Sequence, residues 1–304
     1  MPSNKFWTAA AIAASLFVIS APAHAAQSRT WVSGVGDDAN PCSRTSPCRT
    51  FAGAMGKTVA NGTINCLDPA GYGTVTITQS MTIDCHEILG SVLVPEGVTG
   101  IVINIDPKDT LRTVRLRNLD ISGAGVGSEG ISILAAAAVI VEDLEITGLV
   151  KNGISDARAE SGTLLVVKNT TVANNAGVAI QIGATQPDNV VLDNVQAIKN
   201  SFGVAIAKGN SVTINRSVFA GNSKSGIQAD SGAQMTLDSS VVSNNVTGVS
   251  TSGTVALANT DITYNGTGVS GVTSSFGTNR IFGNTSAGTA PTAVGAPAPA
   301  LGQQ

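Results

Sequence analysis

One segment of roughly 23 residues recurs along most of the chain, and a repeat of that length restricts the fold more than any other feature. The stretch Val190 to Gly209, VVLDNVQAIKNSFGVAIAKG, is one copy. Aligning the asparagine of its LDN with its counterparts gives a column of Asn118, Asp143, Asn169, Asn194, Arg216, Ser239 and Asn259. The spacings are 25, 26, 25, 22, 23 and 20 residues. A second column holds Gly130, Gly153, Gly177, Gly203, Gly226, Gly248 and Gly268, each followed by Ile or Val. Seven units with one grammar define a repeat protein.

Within the units apolar residues alternate, as Val212 and Ile214 do in VTIN and Met235 and Leu237 in MTLD. A period of two means half-buried strands. Only 12% of residues are charged and 4% aromatic, and the abundance of Gly, Ser, Thr, Asn, Val and Ile favours strands joined by turns. No helical stripe of useful length follows residue 60, and the leucine pattern of leucine-rich repeats is missing. Two or three short strands per unit fit one coil of a parallel β-helix, and the crossover rule makes the winding right-handed.

Earlier segments fit the same scheme. Gly62 to Gly73 and Met81 to Gly90 align Ile64 with Ile83 and Cys66 with Cys85, at an offset of 19 residues. The expected fold is all-β: a single right-handed parallel β-helix of nine or ten coils over residues 62–284. Phe51, Met55 and Val59 recur at helical spacing and predict a short N-terminal capping helix within residues 26–61. Residues 285–304, rich in Ala, Pro, Gly and Thr, read as a disordered tail. In the stretch 190–209, Val191, Val204 and Ile206 are expected in the core. Asn194 is expected at a turn or in an inward ladder, and Gly203 at a backbone bend.

Residues 1–25 carry Lys5, an apolar run from Phe6 to Ile19 and the small-residue site AHA, the pattern of a secretory signal peptide. The run is too short for a membrane span, and no later stretch is apolar enough for one. An exported, periplasmic or extracellular chain with four cysteines suggests two disulfides, Cys42 with Cys48 and Cys66 with Cys85. Zinc is the competing reading, but there is no CxxC and His86 is the one histidine after the signal segment. The net charge is −3, with no concentrated basic face, so no nucleic-acid partner is expected. A monomer is expected.

The coils resemble those of the pectin lyase-like superfamily. The segment WVSGVGDDANPCSRTSPCRTFAGAM followed by GTINCLDPAGYG is similar to the start of those domains: a strand, a Gly/Asp loop, a capping helix, then the first coil. Over residues 30–284 the chain most closely resembles exported bacterial right-handed β-helix repeat proteins. The fold hosts lyases, hydrolases, esterases, adhesins and inert modules, so the resemblance implies architecture before activity.

Two chemistries of that superfamily can be sought here. The NTD motif of its polygalacturonase-type hydrolases occurs at Asn259 to Asp261, but no DD pair, histidine motif or RIK follows, and Asn259 is a member of the repeat column. Pectate lyases of the fold hold calcium with acidic residues on adjacent coils and use Arg or Lys as base. The matching candidates are Glu142, Asp143 and Glu145 for metal, with Asp156 and Glu160 nearby, and Arg158 or Lys168 as base. Against this, the column Arg117, Glu142, Lys168 and Asp193 alternates in sign, which suits a plain ladder of ion pairs. Asp156 falls in register with Ile133, Ile180 and Ile206, which point inward. Because a buried unpaired carboxylate is costly, the strand is expected to end early and leave Asp156 exposed beside Arg158. His86 reads as exposed. Tyr72 and Tyr264 are the expected exposed rings and so the candidates for stacking on sugar.

The sequence therefore predicts an exported, non-catalytic β-helix that binds polysaccharide or another cell-surface partner along one face, without a cofactor. The alternatives are a calcium-dependent pectate-type lyase, the one reading that needs a metal, and a structural, adhesin-like surface module.

Overall fold

The computed structural model describes residues 26–294. Residues 1–25, where a signal peptide is expected, and those beyond 294 lie outside the described residues. Each coil adds one strand to each of three sheets, which contain 12, 10 and 10 strands, all paired in parallel. Ten strands in each of two sheets mean ten coils. In chain order a coil contributes to the first, second and third sheet. The coil of the stretch 190–209 does so with Asp188–Asp193, Gln196–Ile198 and Phe202–Ile206.

Side chains alternate between core and solvent as the period of two requires. In that coil Val190, Leu192, Ala197, Val204 and Ile206 are buried. Val191 faces outward, one residue out of step with expectation, because the first-sheet strand begins at Asp188 with its inward face on even numbers.

The column of Asn118, Asp143, Asn169, Asn194, Arg216, Ser239 and Asn259 is the corner between first and second sheets. All seven residues have positive φ, between 45° and 60°. The left-handed region suits Asn and Asp best among residues with a side chain. Through this corner the backbone ladder continues unbroken: Asn169 N donates to Asp193 O and Asn194 N to Asn215 O, both at 3.1 Å.

The inward ladder is built from a different column. Asn175, Asn200, Asn222, Asn245, Asn265 and Asn284 follow the second-sheet strands in six successive coils. The Oδ1 of each asparagine accepts from both the backbone N–H and the side-chain amide of the one before it. From Asn200 onward each Nδ2 also donates to a carbonyl of the second-sheet strand in the preceding coil, as Asn222 does to Ala197 O at 3.2 Å. Every polar atom of this column is satisfied inside the core, which is the condition for burying amides.

The glycine column needs a correction. Register places Ile180, not Val178, beside Val204, so Ala179 and not Gly177 is the member in that coil. Nor does Gly203 take a left-handed bend. A Cβ there would sit 2.3 Å from Gly226 O and 2.9 Å from the Phe219 ring, so the column marks close approach between coils.

At the N-terminal end the helix is shorter than its apolar spacing implies, Phe51–Met55. Thr50 caps it by accepting from Gly53 N at 2.9 Å. Val59 belongs instead to the strand Thr58–Cys66, where β-branched Thr58 and Val59 favour extension. The disulfides Cys42–Cys48 and Cys66–Cys85 close the preceding loop and join the first two coils. At the other end the solenoid runs past residue 284: Ser286–Gly288 and Thr292–Ala293 pair in parallel with the preceding coil, so this part of the expected tail is strand.

Replacing Asn222 with alanine strands the backbone N–H of Asn200 in the core, while the Asn200 side-chain amide keeps Val172 O and Ile198 O, at about 1–3 kcal/mol for the unsatisfied group. Chemical denaturation is expected to show a loss of about 2 kcal/mol. Asn194→Gly, at the exposed corner, should change stability by less than about 0.5 kcal/mol.

Candidate functional site

The residues singled out in the sequence fall into three separate places. Asp156 is fully buried, contrary to the expectation of an early strand end. It lies in register between Ile133 and Ile182 and points into the core. Arg158 turns back to meet it and is equally buried. Arg158 Nε donates to Asp156 Oδ1 at 2.9 Å, and Nη2 donates to Asp156 Oδ2 at 2.6 Å and to Asp188 Oδ2 at 2.5 Å. Nη1 donates to the carbonyls of Ala136 and Leu164. All five guanidinium hydrogens therefore have acceptors. Asp188, which sequence reasoning missed, also accepts from Thr163 Oγ1 at 2.6 Å and Asn189 N at 2.8 Å. Its signal was a corner column of polar residues, Thr163, Asp188 and Asn210, each placed just before or at the start of a first-sheet strand. The cluster has no exposed atom for a substrate, and its role is to fill a core corner.

Two carboxylates share one guanidinium there. Burial, and the Asp156 carboxylate that it faces, push the Asp188 carboxyl up from its ordinary 3.8 to about 6. Glu160 lies outside the cluster, bound by both oxygens to Arg112, whose hydrogen bonds hold it below its ordinary value.

The second place is the outer edge of the first sheet. Glu142 is gripped by Arg115 Nε at 3.1 Å and Arg117 Nε at 3.4 Å, and Arg117 also reaches Asp84 at 3.3 Å. This is the alternating ion ladder, and Lys168 is the next rung, in register with Glu142 and Asp193.

The third place is an open groove of about 490 Å³ around the corner between first and second sheets. It gathers Asp120, Asp143 and Glu145 with Asn118, Asn169 and Thr171. Glu145 is in register with Asp120 and Thr171, on neighbouring strands about 4.8 Å apart. Asn194 Nδ2 donates to Asn169 Oδ1 at 3.0 Å, and Asn169 Nδ2 to Asp143 Oδ1 at 3.1 Å, so a run of amides ends on the groove's central carboxylate. Among the described residues no Lys or Arg pairs with Asp120, Asp143 or Glu145. The groove thus offers hydrogen-bond acceptors facing water. Of the sequence candidates it unites Asp143 and Glu145, leaves Glu142 and Lys168 on the other side of the corner, and is remote from the sealed Arg158. Among the described residues no group of three or more acidic, His or Cys side chains is arranged to hold a metal ion.

Of the two tyrosines, Tyr72 is fully buried against Phe51, ring centroids 5.1 Å apart, with its hydroxyl donating to Asp68. Burial, with the Asp68 carboxylate beside it, pushes that hydroxyl up to about 12. It has no face for a sugar. Tyr264 is exposed. His86 lies at the surface beside Glu87, as expected.

This architecture is that of a right-handed parallel β-helix. The model of the right-handed β-helix region matches residues 58–214 and 160–294, and the chain belongs to that family. Among solved structures it is similar to pectate lyase Pel9A, at 16% identity and a TM-score of 0.58, covering 88% of this chain and 76% of that one. It is also similar to the A-module of mannuronan C-5 epimerase AlgE6 of Azotobacter vinelandii, at 11% identity and a TM-score of 0.49, covering 77% and 90%. No curated protein matches the sequence.

Two outcomes follow from the buried cluster. Arg158→Met leaves two carboxylates in the core without their cation and should cost about 3–5 kcal/mol by denaturant titration. The second concerns pH. The folded chain holds the Asp188 proton more tightly than the unfolded chain does. Stability from this group is therefore complete below about 4 and lost as pH rises through about 6. The half-buried Glu129 shifts the same way, through burial. The melting temperature should rise as pH is lowered from about 7 to about 5, and Asp188→Asn should reduce that rise.

Proposed function

We propose that this chain is an exported, non-catalytic β-helix protein that binds polysaccharide, or another cell-surface partner, along the outer face of its second sheet. The observation that carries the reading is the open groove, where carboxylates and amides without cationic partners stand at rung spacing and can accept hydrogen bonds from hydroxyl groups. A polysaccharide partner accords with the pectate lyase that shares the fold. Export accords with two disulfides and with the absence, among the described residues, of a helix long and apolar enough to cross a membrane. The groove's lining includes no Lys, Arg or His beside its carboxylates, so binding is the chemistry it is equipped for.

The second reading, a calcium-dependent pectate-type lyase, draws on Glu142, Asp143 and Glu145, of which the groove holds only Asp143 and Glu145. It needs in addition a base beside them, and neither Lys168 nor Arg158 lies in the groove. A structural, adhesin-like module is the third. No cofactor is proposed under the first or third reading, and the protein is proposed to act as a monomer.

Incubation with pectate and calcium should yield no unsaturated product; clear product would establish the lyase. On a glycan array the protein should bind at least one polysaccharide. The double variant Asp120→Asn, Glu145→Gln should weaken that binding by about tenfold, since hydrogen bonds to charged acceptors contribute about 1.5–3 kcal/mol each. Silence across a broad array would favour the structural module.

A further inference from the structure

The exposed aromatic side chains of the described residues lie near one end of the solenoid, Tyr264 and Phe282 at the second sheet and Phe276 just after a first-sheet strand. Phe51, Tyr72 and Phe219 are fully buried, whereas Tyr264 is 62% exposed, Phe282 73% and Phe276 54%. Aromatic rings left in water in a cluster mark a surface that something covers.

Two of these rings belong to neighbouring coils. Phe282 points outward in register with Thr263, the residue before Tyr264. The ring of Tyr264 lies across Gly283: a Cβ on that glycine would stand 2.8 Å from Cε1. Gly283 itself has φ of 70°, so it serves both the corner and the ring. Beside them, on the same outer face, Arg280 grips Asp261 with Nε and Nη2, each at 2.5 Å. Arg280 is 76% exposed and Asp261 24%, so the fork presents mainly guanidinium donors next to Phe282.

The backbone supplies a second, independent observation. Tyr264 occupies the corner after the second sheet, where φ is positive in every one of six successive coils. Its sister positions are Asn174, Lys199, Gly221, Asn244 and Gly283. A bulky aromatic residue at φ of 58° is an outlier that costs of order 1 kcal/mol or more where Gly or Asn costs little. Burial does not compensate, because the ring is in water. Strain kept at an exposed aromatic residue points to a use for that ring.

We infer that Tyr264 and Phe282, with the Asp261–Arg280 fork beside them, form a sugar-stacking site that takes the pyranose rings of a neutral glycan. The aromatic faces match the C–H faces of the sugar, and the fork matches adjacent hydroxyls. From Asp261 to Tyr264 the patch is about 10 Å long, room for about two sugar rings. It lies on the same outer row as the acidic groove: Glu145, Thr171, Gln196, Val218, Val241 and Asp261 are successive rungs. The five steps between these six rungs span about 24 Å. The site is therefore a second anchor for one chain laid along the sheet, and in this it rests on the polysaccharide reading above.

The test uses the full oxidised chain with cellohexaose, laminarihexaose and xylohexaose as probes in isothermal titration. At least one probe should bind. Tyr264→Ala and Phe282→Ala should each weaken it by about tenfold, Tyr264→Phe should retain it, and the melting temperature should not fall in any of the three. Unchanged affinity in both alanine variants, with loss in Asp120→Asn, Glu145→Gln, overturns this site and leaves the polysaccharide reading standing. Silence of the wild type with these probes and on the glycan array overturns both. Self-association by light scattering that Phe282→Ala abolishes, with no probe bound, makes the patch a contact between chains and overturns the proposal.

Discussion

Parallel stacking of coils requires every coil to turn at the same place while its amides stay paired to the coils on either side. A corner that shifted by one residue would send the next strand's apolar side chains into solvent. Here the requirement is met by two columns. Residues at positive φ bend the chain out of the first sheet, and buried asparagines after the second sheet tie the next corner from coil to coil. The core inside is ordinary Val, Ile and Leu. What makes it a stack of coils rather than a collapsed β-rich chain is that these corners repeat in register.

The same economy explains where charge is found. The coil interior has no water, so a carboxylate in an inward column must be neutralised locally. Asp156 occupies an isoleucine position and is tolerable because Arg158 and Asp188 stand within hydrogen-bond reach and every guanidinium hydrogen is used. Burial of an ion pair adds little net stability. The cluster instead makes this corner dependent on all its members at once, and leaves its charge sensitive to protonation. Charged residues on the outer faces carry no such obligation. Those of the first sheet neutralise one another in a ladder, and among the described residues those around the second sheet's groove have no cationic partner.

That division bears on function. Among the described residues Asp120, Asp143 and Glu145 have no Lys or Arg in ion-pair reach, whereas Glu142 and Asp261 are held by arginines on their own faces and Arg158 is sealed inside. The outer face of the second sheet thus carries a row of acceptors at one end and exposed rings beside a planar ion pair at the other. Under the proposed reading both serve adhesion to a polyhydroxylated chain.

Much of the architecture was legible in the sequence. The spacing of Asn118, Asp143, Asn169 and Asn194, the alternation in VTIN and MTLD, and the coincidence of Cys66 with Cys85 determined a parallel β-helix with disulfides at its start. These are local or strictly periodic signals, and a solenoid turns period directly into contact. Alignment by residue type failed where type and register diverge. Gly177 was matched to Gly203 although Ala179 holds that place, and the ladder was sought at Asn194 although Asn200 forms it. Partners that meet across coils were also beyond reach. Nothing in the sequence places Asp188 against Arg158, Phe282 near Tyr264, or Tyr72 beneath the cap, because each pairing depends on how the loops between strands close. The sequence by itself determined the winding and the rung spacing. Only the tertiary structure decided which charges are buried, which are paired and which face water, because that depends on the three-dimensional neighbours each corner brings together.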